Sequence, residues 1–392
     1  MALFSDASFF ILLAVAIMPA AVIGLTEHSL RHYGLVLSAV LVAAAFWGQP
    51  VQVLGLVAYL ALSRCALCWL VRDPKSERRF VAASLVTLCP LLVYKVSAVF
   101  SFSFWGFIGI SYITFKGIQT VMETHDGLIT RKDLGFEDWL YFLLFFPQFS
   151  SGPIDRSRRF AADAHDIPSR DEYAGLLARG ILLLLLGAVY KMVIATLIHR
   201  YYSPTAWGTG DFGTEFWAQV KTAYLYGGYL FFDFAGYSFM AMGASYCLGI
   251  RCPRNFRAPF IATDIFDFWN RWHITLSTWF RDFVFMRITR WLVRRKIVKG
   301  RVRVAQCGFL ANMLIMGFWH GITIDYIGYG LFHGVLLAAT EGIQKRSRFY
   351  KAHRHDLWFR ILSWFVTLQL VILGFSIFSG QISMLVEGAI NG

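Results

Sequence analysis

Residues 309–321 read FLANMLIMGFWHG, and residues 326–341 read YIGYGLFHGVLLAATE. Neither run contains Lys or Arg, and each places one histidine beside a glycine. A helix that is apolar nearly all round is either buried in a large core or crosses a bilayer. The rest of the chain decides between these. A spanning helix takes about 20 mostly apolar residues. Candidate runs lie at 9–25, 34–48, 51–71, 80–100, 103–122, 174–198, 217–249, 309–324, 326–341 and 358–380. Two more, at 137–151 and 259–280, carry polar residues and read as re-entrant or only partly inserted. This predicts an all-α integral membrane protein with about eleven transmembrane helices plus short re-entrant or interfacial helices. No repeat, linker or low-complexity stretch divides residues 1–392, so a single polytopic domain is the simplest reading.

Composition agrees. Hydrophobic residues make up 57% and charged residues 16%, against roughly 25% charged in soluble domains. Lys and Arg outnumber Asp and Glu, 37 to 24, for a net charge of +13. That excess sits between apolar runs, which marks cytoplasmic loops and argues against nucleic acid. The loops 72–79, 123–136, 154–173, 250–257, 281–303 and 345–360 are basic, whereas 49–50 and 201–216 carry no Lys or Arg. The first group reads as cytoplasmic and the second as extracytoplasmic. Counting back, the N-terminus falls outside, and 137–151 dips in and returns on the same side. The start MALFSDASFFILL has no basic stretch and reads as a first span, not a cleaved signal.

Several residues stand out against this background. Segment 264–286, DIFDFWNRWHITLSTWFRDFVFM, places Asn270, His273, Ser277 and Arg281 on one face of a helix at 100° per residue. That face suits a protein interior or wet cavity, but the tryptophans opposite also suit a helix lying flat in the interface. His320, flanked by Trp319 and Gly321, ends an apolar run. A neutral imidazole there suits general-base work, and also a structural bond to a backbone carbonyl. His333 in GLFHG is its equal on sequence chemistry alone. Asp233, Lys95, Lys116 and Lys191 lie inside apolar runs, where ion pairing or snorkelling is the ordinary outcome and substrate contact the alternative. Cys65 and Cys68 form a CxxC inside an apolar run and read as two small residues one helical turn apart. No GxSxG elbow, phosphate loop, HExxH or dinucleotide fingerprint occurs, and no His/Cys group has metal-ligand spacing.

Four ordered blocks carry a family resemblance. They are GISYITFKGIQ at 109–119, FFPQFSSGPIDRSRRF at 145–160, FFDFAGYSFMAMGASYCLGI at 231–250, and DFWNRWHITLSTWFRDF at 267–283. The last is followed by FWHG, whose His320 lies 47 residues after His273. The sequence resembles the membrane-bound O-acyltransferase (MBOAT) family, and within it the branch that moves D-alanine onto teichoic acids. The alginate O-acetylation branch shares the WH and WHG blocks.

The resemblance implies a ring of membrane helices around a thin centre, with a tunnel joining the two sides. It implies that His320 is the family's near-invariant histidine and His273 its second motif position. His333 lies outside both blocks. Asn270, Ser277, Arg281, Trp319 and Asp233 are then candidates for positioning substrate. For this branch the donor is D-alanine thioesterified to phosphopantetheine on a small cytoplasmic carrier protein, so the chain itself binds no cofactor. The acceptor, reached from outside the cell membrane, is an envelope polymer such as teichoic acid or an intermediate membrane protein. Such carriers are acidic. Arg287, Arg290, Arg294, Arg295 and Lys296 are candidates for docking one, although the ordinary positive-inside signal explains the same charges. A polysaccharide O-acetyltransferase is the near rival. A transporter or flippase is the distant one.

Overall fold

The computed structural model describes residues 4, 7–99, 106–133, 135–203, 211–381 and 383–384. Its helices are α1 (Ala7–Leu25), α2 (Arg31–Ala45), α3 (Pro50–Val71), α4 (Glu77–Val99), α5 (Ile110–His125), α6 (Phe136–Leu144), α7 (Ser157–His165), α8 (Arg170–Ala188), α9 (Thr196–Tyr201), α10 (Phe212–Cys247), α11 (Ile265–Trp269), α12 (Ile274–Phe280), α13 (Met286–Arg294), α14 (Arg301–His320), α15 (Ile324–Arg346), α16 (Arg348–His353) and α17 (Leu357–Phe378). No strand occurs among the described residues. Among the described residues, six helical stretches are long and apolar enough to cross a membrane: 8–25, 50–71, 77–97, 170–201, 301–320 and 357–378. Their outer faces carry exposed large apolar side chains such as Leu182, Leu185, Trp358 and Phe365. A protein in water would have to hide these, whereas lipid solvates them.

The chain forms two compact units, Met1–Val189 with Gly236–Arg254, and Tyr190–Ala235 with Asn255–Gly392. The core of the first is α5, buried almost without interruption from Ile110 to Thr124. From Ile110 on, the 103–122 run belongs to this 16-residue helix, which is enclosed by protein. Apolar composition does not distinguish a protein surround from a lipid one.

The polar residues of α5 explain the short segments around it. Lys116 is 1% exposed and donates to the carbonyl of Phe142 at 2.8 Å. That carbonyl belongs to the last turn of α6, where carbonyls lack helical partners, so a cation there satisfies both groups. Glu123 accepts from Gln119 at 3.2 Å and from Ser157. Asp155, fully buried, pairs with Arg159 and accepts from Gln148 at 3.3 Å. The SSGPIDRSRR block is therefore a buried polar knot built on Asp155 and Glu123. Gly109 closes it: its φ is +84°, and a Cβ there would lie 2.6 Å from the carbonyl oxygen of Phe149. Only glycine meets both conditions.

In the second unit α14 packs against α15 with backbones nearly touching. A Cβ on Gly317 would lie 2.4 Å from the Tyr326 carbonyl oxygen, and one on Gly330 would lie 2.5 Å from that of Met313. Both glycines belong to small-xxx-small spacings, Gly317/Gly321 and Gly330/Gly334, the usual device for close helix approach in lipid. Thr323 caps α15 by accepting from the Tyr326 N–H at 3.4 Å. Residues 217–247 of the 217–249 run belong to one unbroken helix, α10, of 36 residues.

Candidate active site

Segment 264–286 is not the single amphipathic helix that its periodicity suggested. Asp264 caps α11 by accepting from the Asp267 N–H at 2.8 Å, and α11 ends at Trp269. The chain then turns until His273, whose φ of 43° and ψ of 51° are left-handed. After α12, a π-helical turn at Arg281–Phe285 leads into α13. Contacts distant in sequence impose the break. The Arg257 N–H bonds the Arg271 carbonyl at 3.0 Å, and the Ile274 N–H bonds the Asn255 carbonyl at 2.8 Å. A left-handed histidine costs about 1–3 kcal/mol, a strain that persists where the surroundings over-determine the backbone.

The break separates His273 from the rest of its predicted face. Asn270, Ser277 and Arg281 still converge, lining a pocket of about 430 Å³ with Trp269, Asn312, Met316, Glu341 and Gln344. His273 is not among the lining residues. It is 4% exposed, with Phe234 edge-on to its ring at 4.6 Å. Its Nδ1 lies 3.3 Å from Asn255 Oδ1, which also accepts from the Thr275 hydroxyl at 2.5 Å. With Nδ1–H donating to Asn255, Nε2 is the acceptor nitrogen of the neutral ring.

His320 ends α14 inside an aromatic cluster. Trp319 lies 4.5 Å away, Phe378 4.9 Å and edge-on, Tyr326 6.0 Å and nearly parallel, and Tyr329 6.2 Å. It is half-buried and within Coulombic reach of His273. Met316, one turn earlier on α14, lines the pocket. The two motif histidines and the pocket thus belong to one neighbourhood of the second unit.

His333 reaches the same neighbourhood by another route. It is fully buried, 4.6 Å from Tyr329 and 5.3 Å from Trp269. Neither ring nitrogen has a partner among the described residues, so His333 bears on the site through packing around Tyr329.

Asp233, a predicted positioning residue, is held in an ion pair with Lys191 and does not line the pocket. Trp319 packs on His320 and does not line it either. Arg287, Arg290 and Arg294 lie on α13, and Arg295 caps its C-terminal end. Lys296 follows in a left-handed conformation, beside a groove of about 550 Å³ shared with Val293, Lys299 and Arg301.

Sequence reasoning missed four contributors. Asn255 holds His273, and the Thr275 hydroxyl donates to the same Asn255 oxygen. Asn312 is 7% exposed, lines the pocket and has an unpartnered Oδ1. Tyr329 bridges His320 and His333. Only Asn312 left a signal, as a lone amide inside FLANMLIM.

Known proteins resemble the chain along nearly its whole length. A teichoic acid D-alanyltransferase of Bacillus subtilis (strain 168) is 38% identical over 389 residues, covering 96% of this chain and 98% of that protein. One of Streptococcus thermophilus (strain ATCC BAA-250 / LMG 18311) is 36% identical over 392 residues, covering 95% and 93%. A probable alginate O-acetylase, AlgI, of Pseudomonas syringae pv. tomato is 32% identical over 278 residues, covering 70% of this chain and 49% of that protein. The family model described as MBOAT, membrane-bound O-acyltransferase family, matches residues 53–383, which include His273, His320 and the pocket. The chain belongs to the membrane-bound O-acyltransferase family.

Proposed function

We propose that this chain transfers D-alanine from a carrier-protein thioester in the cytoplasm to an oxygen acceptor across the membrane, in the D-alanylation of teichoic acid, with His320 as general base. The observation that carries the reading is the position of His320, within Coulombic reach of His273 and one turn from the pocket-lining Met316. The near full-length relatives named as teichoic acid D-alanyltransferases supply the acyl group. The family's ring of about eleven membrane helices around a tunnelled centre is part of the proposal, as are an extracytoplasmic N-terminus and carrier docking on the α13 segment.

The pocket suits the donor arm. Glu341, Gln344 and Lys345 sit at its α15 side, and Asn312 lies eight residues from His320, about 12 Å along the helix. The unpartnered Asn312 Oδ1 is placed to accept from an amide N–H of phosphopantetheine. On the acceptor side the reading is supported by phenols. Tyr326 stacks near His320, Tyr226 lies within Coulombic reach of Tyr326 and Tyr329, and Tyr202 packs 5.5 Å from Tyr226. Tyr202 lies in the 201–216 stretch, which carries no basic residue.

The step balances without a covalent enzyme intermediate. His320 accepts the acceptor O–H proton as the oxygen attacks the thioester carbonyl carbon. The tetrahedral oxyanion collapses, the C–S bond breaks, and the thiolate takes the proton back from the imidazolium. An ester and a free pantetheine thiol result. The thioester is already activated, so the protein supplies a base, charge stabilisation and proximity. His273, with Nδ1 turned to Asn255, acts as an acceptor and positioning group, and oxyanion donors come from other side chains.

The test is donor choice. Purified chain in proteoliposomes is offered carrier protein loaded with D-alanine or with acetate, and ester formed on an added teichoic acid acceptor is measured. D-alanyl transfer is the expected result. Acetyl transfer alone would move the chain to the alginate-type reading, and ATP- or ion-driven passage of the polymer without ester formation would favour a transporter.

A further inference from the structure

We propose that the first unit carries a binding site for the phosphodiester headgroup of an anionic phospholipid at the end of α3. The site is a cavity of about 300 Å³ lined by Arg64, Leu67, Cys68, Val71, Arg72 and Arg131. It takes no part in the acyl transfer described above.

Three observations carry it. First, the lining contains three guanidinium groups and no carboxylate. Arg64, Cys68 and Arg72 follow one another at four-residue steps, so they share one face of α3. Arg131 comes from a separate turn, Arg131–Asp133. Second, the Arg64 guanidinium is held over the rings of Phe136 at 5.8 Å and Trp139 at 5.4 Å. Stacking fixes the plane of the group and preserves its charge, which pre-organises it for the paired oxygens of a phosphate. Third, the remaining wall is apolar, from Leu67 and Val71, and lies where a membrane-spanning helix ends.

An ordinary positive-inside loop spreads its charges into water. Here two segments about sixty residues apart bring theirs around one partly open cavity with an apolar side. A phosphodiester attached to acyl chains satisfies both halves: its oxygens face the arginines, and its glycerol and first methylenes face Leu67, Cys68 and Val71. A free phosphate satisfies only the charged half. The CxxC of the sequence thereby acquires a use, because Cys68 lines the cavity and Cys65 does not.

The native thiols report occupancy in the full chain without any substitution. Cys65 and Cys68 are both exposed. The chain is placed in vesicles of phosphatidylcholine, or of phosphatidylcholine with phosphatidylglycerol, and treated with a membrane-permeant maleimide. Labelling of each cysteine is followed by peptide mass spectrometry. Phosphatidylglycerol is expected to slow labelling of Cys68 relative to Cys65 about fivefold or more, and inorganic phosphate to leave the ratio unchanged. In a second arm, native mass spectrometry compares the wild type with Arg64→Gln/Arg72→Gln/Arg131→Gln and with Arg346→Gln/Arg348→Gln, which changes arginines outside the cavity. At about fivefold per basic residue near an anionic surface, the triple variant should lose phosphatidylglycerol retention by at least an order of magnitude, with the control variant unaffected. An unchanged Cys68/Cys65 ratio, or equal losses in both variants, overturns the site. Protection of Cys68 by inorganic phosphate in pure phosphatidylcholine assigns it to a free anion and overturns the lipid.

Discussion

Replacing Gly317 with alanine should damage catalysis far more than stability. The added methyl would lie 2.4 Å from the carbonyl oxygen of Tyr326, whereas ordinary contact begins at 3.4 Å. The two backbones must part by about 1 Å. Neither side can yield by a rotamer change, because the obstructing atom is main chain. Overpacking of this kind costs about 1–3 kcal/mol, and alanine in place of a helical glycine returns about 1 kcal/mol. The net effect on unfolding is therefore small, about 0–2 kcal/mol. Catalysis has no such offset. His320 lies three residues from Gly317, and Tyr326 packs near its ring. A displacement of about 1 Å at a reacting group costs on the order of 100-fold in rate. The assay is D-alanyl transfer in proteoliposomes beside thermal unfolding of the same preparation. Gly175→Ala is the control, since a Cβ there meets nothing within 4 Å. A Gly317→Ala enzyme with wild-type turnover would refute the claim that the α14–α15 contact sets the position of His320.

Other substitutions probe separate parts of the account. Asn255→Ala removes the partner of His273 Nδ1 and should lower transfer by up to about 100-fold while the pocket still binds donor, as a kcat loss without a matching KM change. Asp155→Ala removes the fully buried partner of Arg159, which keeps Asp163 at 2.9 Å, and should destabilise the protein by about 1–3 kcal/mol, read by thermal unfolding; an unchanged unfolding temperature contradicts the polar-knot description. Charge reversal at Arg294 and Arg295 should weaken carrier binding, with the difference shrinking as salt rises. Unchanged affinity would return those charges to the positive-inside signal alone.

The fold class was legible because helices that face lipid carry long, mostly apolar runs, as α1, α3 and α17 do. The enclosure of α5 was not, since Ile, Phe and Val serve equally against protein or lipid. Its polar members were the available clue: Lys116, Gln119 and Glu123 are all buried and bonded. At the site, Ser277 and Arg281 converge through the helical period of α12, whereas Asn270 reaches the same pocket from across the break. The departure of His273 followed from no such period. Its left-handed turn is set by Asn255 and Arg257, 18 and 16 residues earlier, and no local pattern encodes such a clamp. His320 and His333 were equivalent to chemistry read along the chain. The structure places both against Tyr329, and it is the family blocks around His320 that separate their roles.

The central claim is that His320 takes the proton of the acceptor. Its most direct test is the rate of ester formation by His320→Ala with saturating D-alanyl carrier protein, in a preparation whose unfolding temperature and carrier affinity match the wild type. The account predicts that carrier binds normally and that transfer falls by about 100-fold or more, the scale of a lost general base. Turnover within a few-fold of wild type would contradict it.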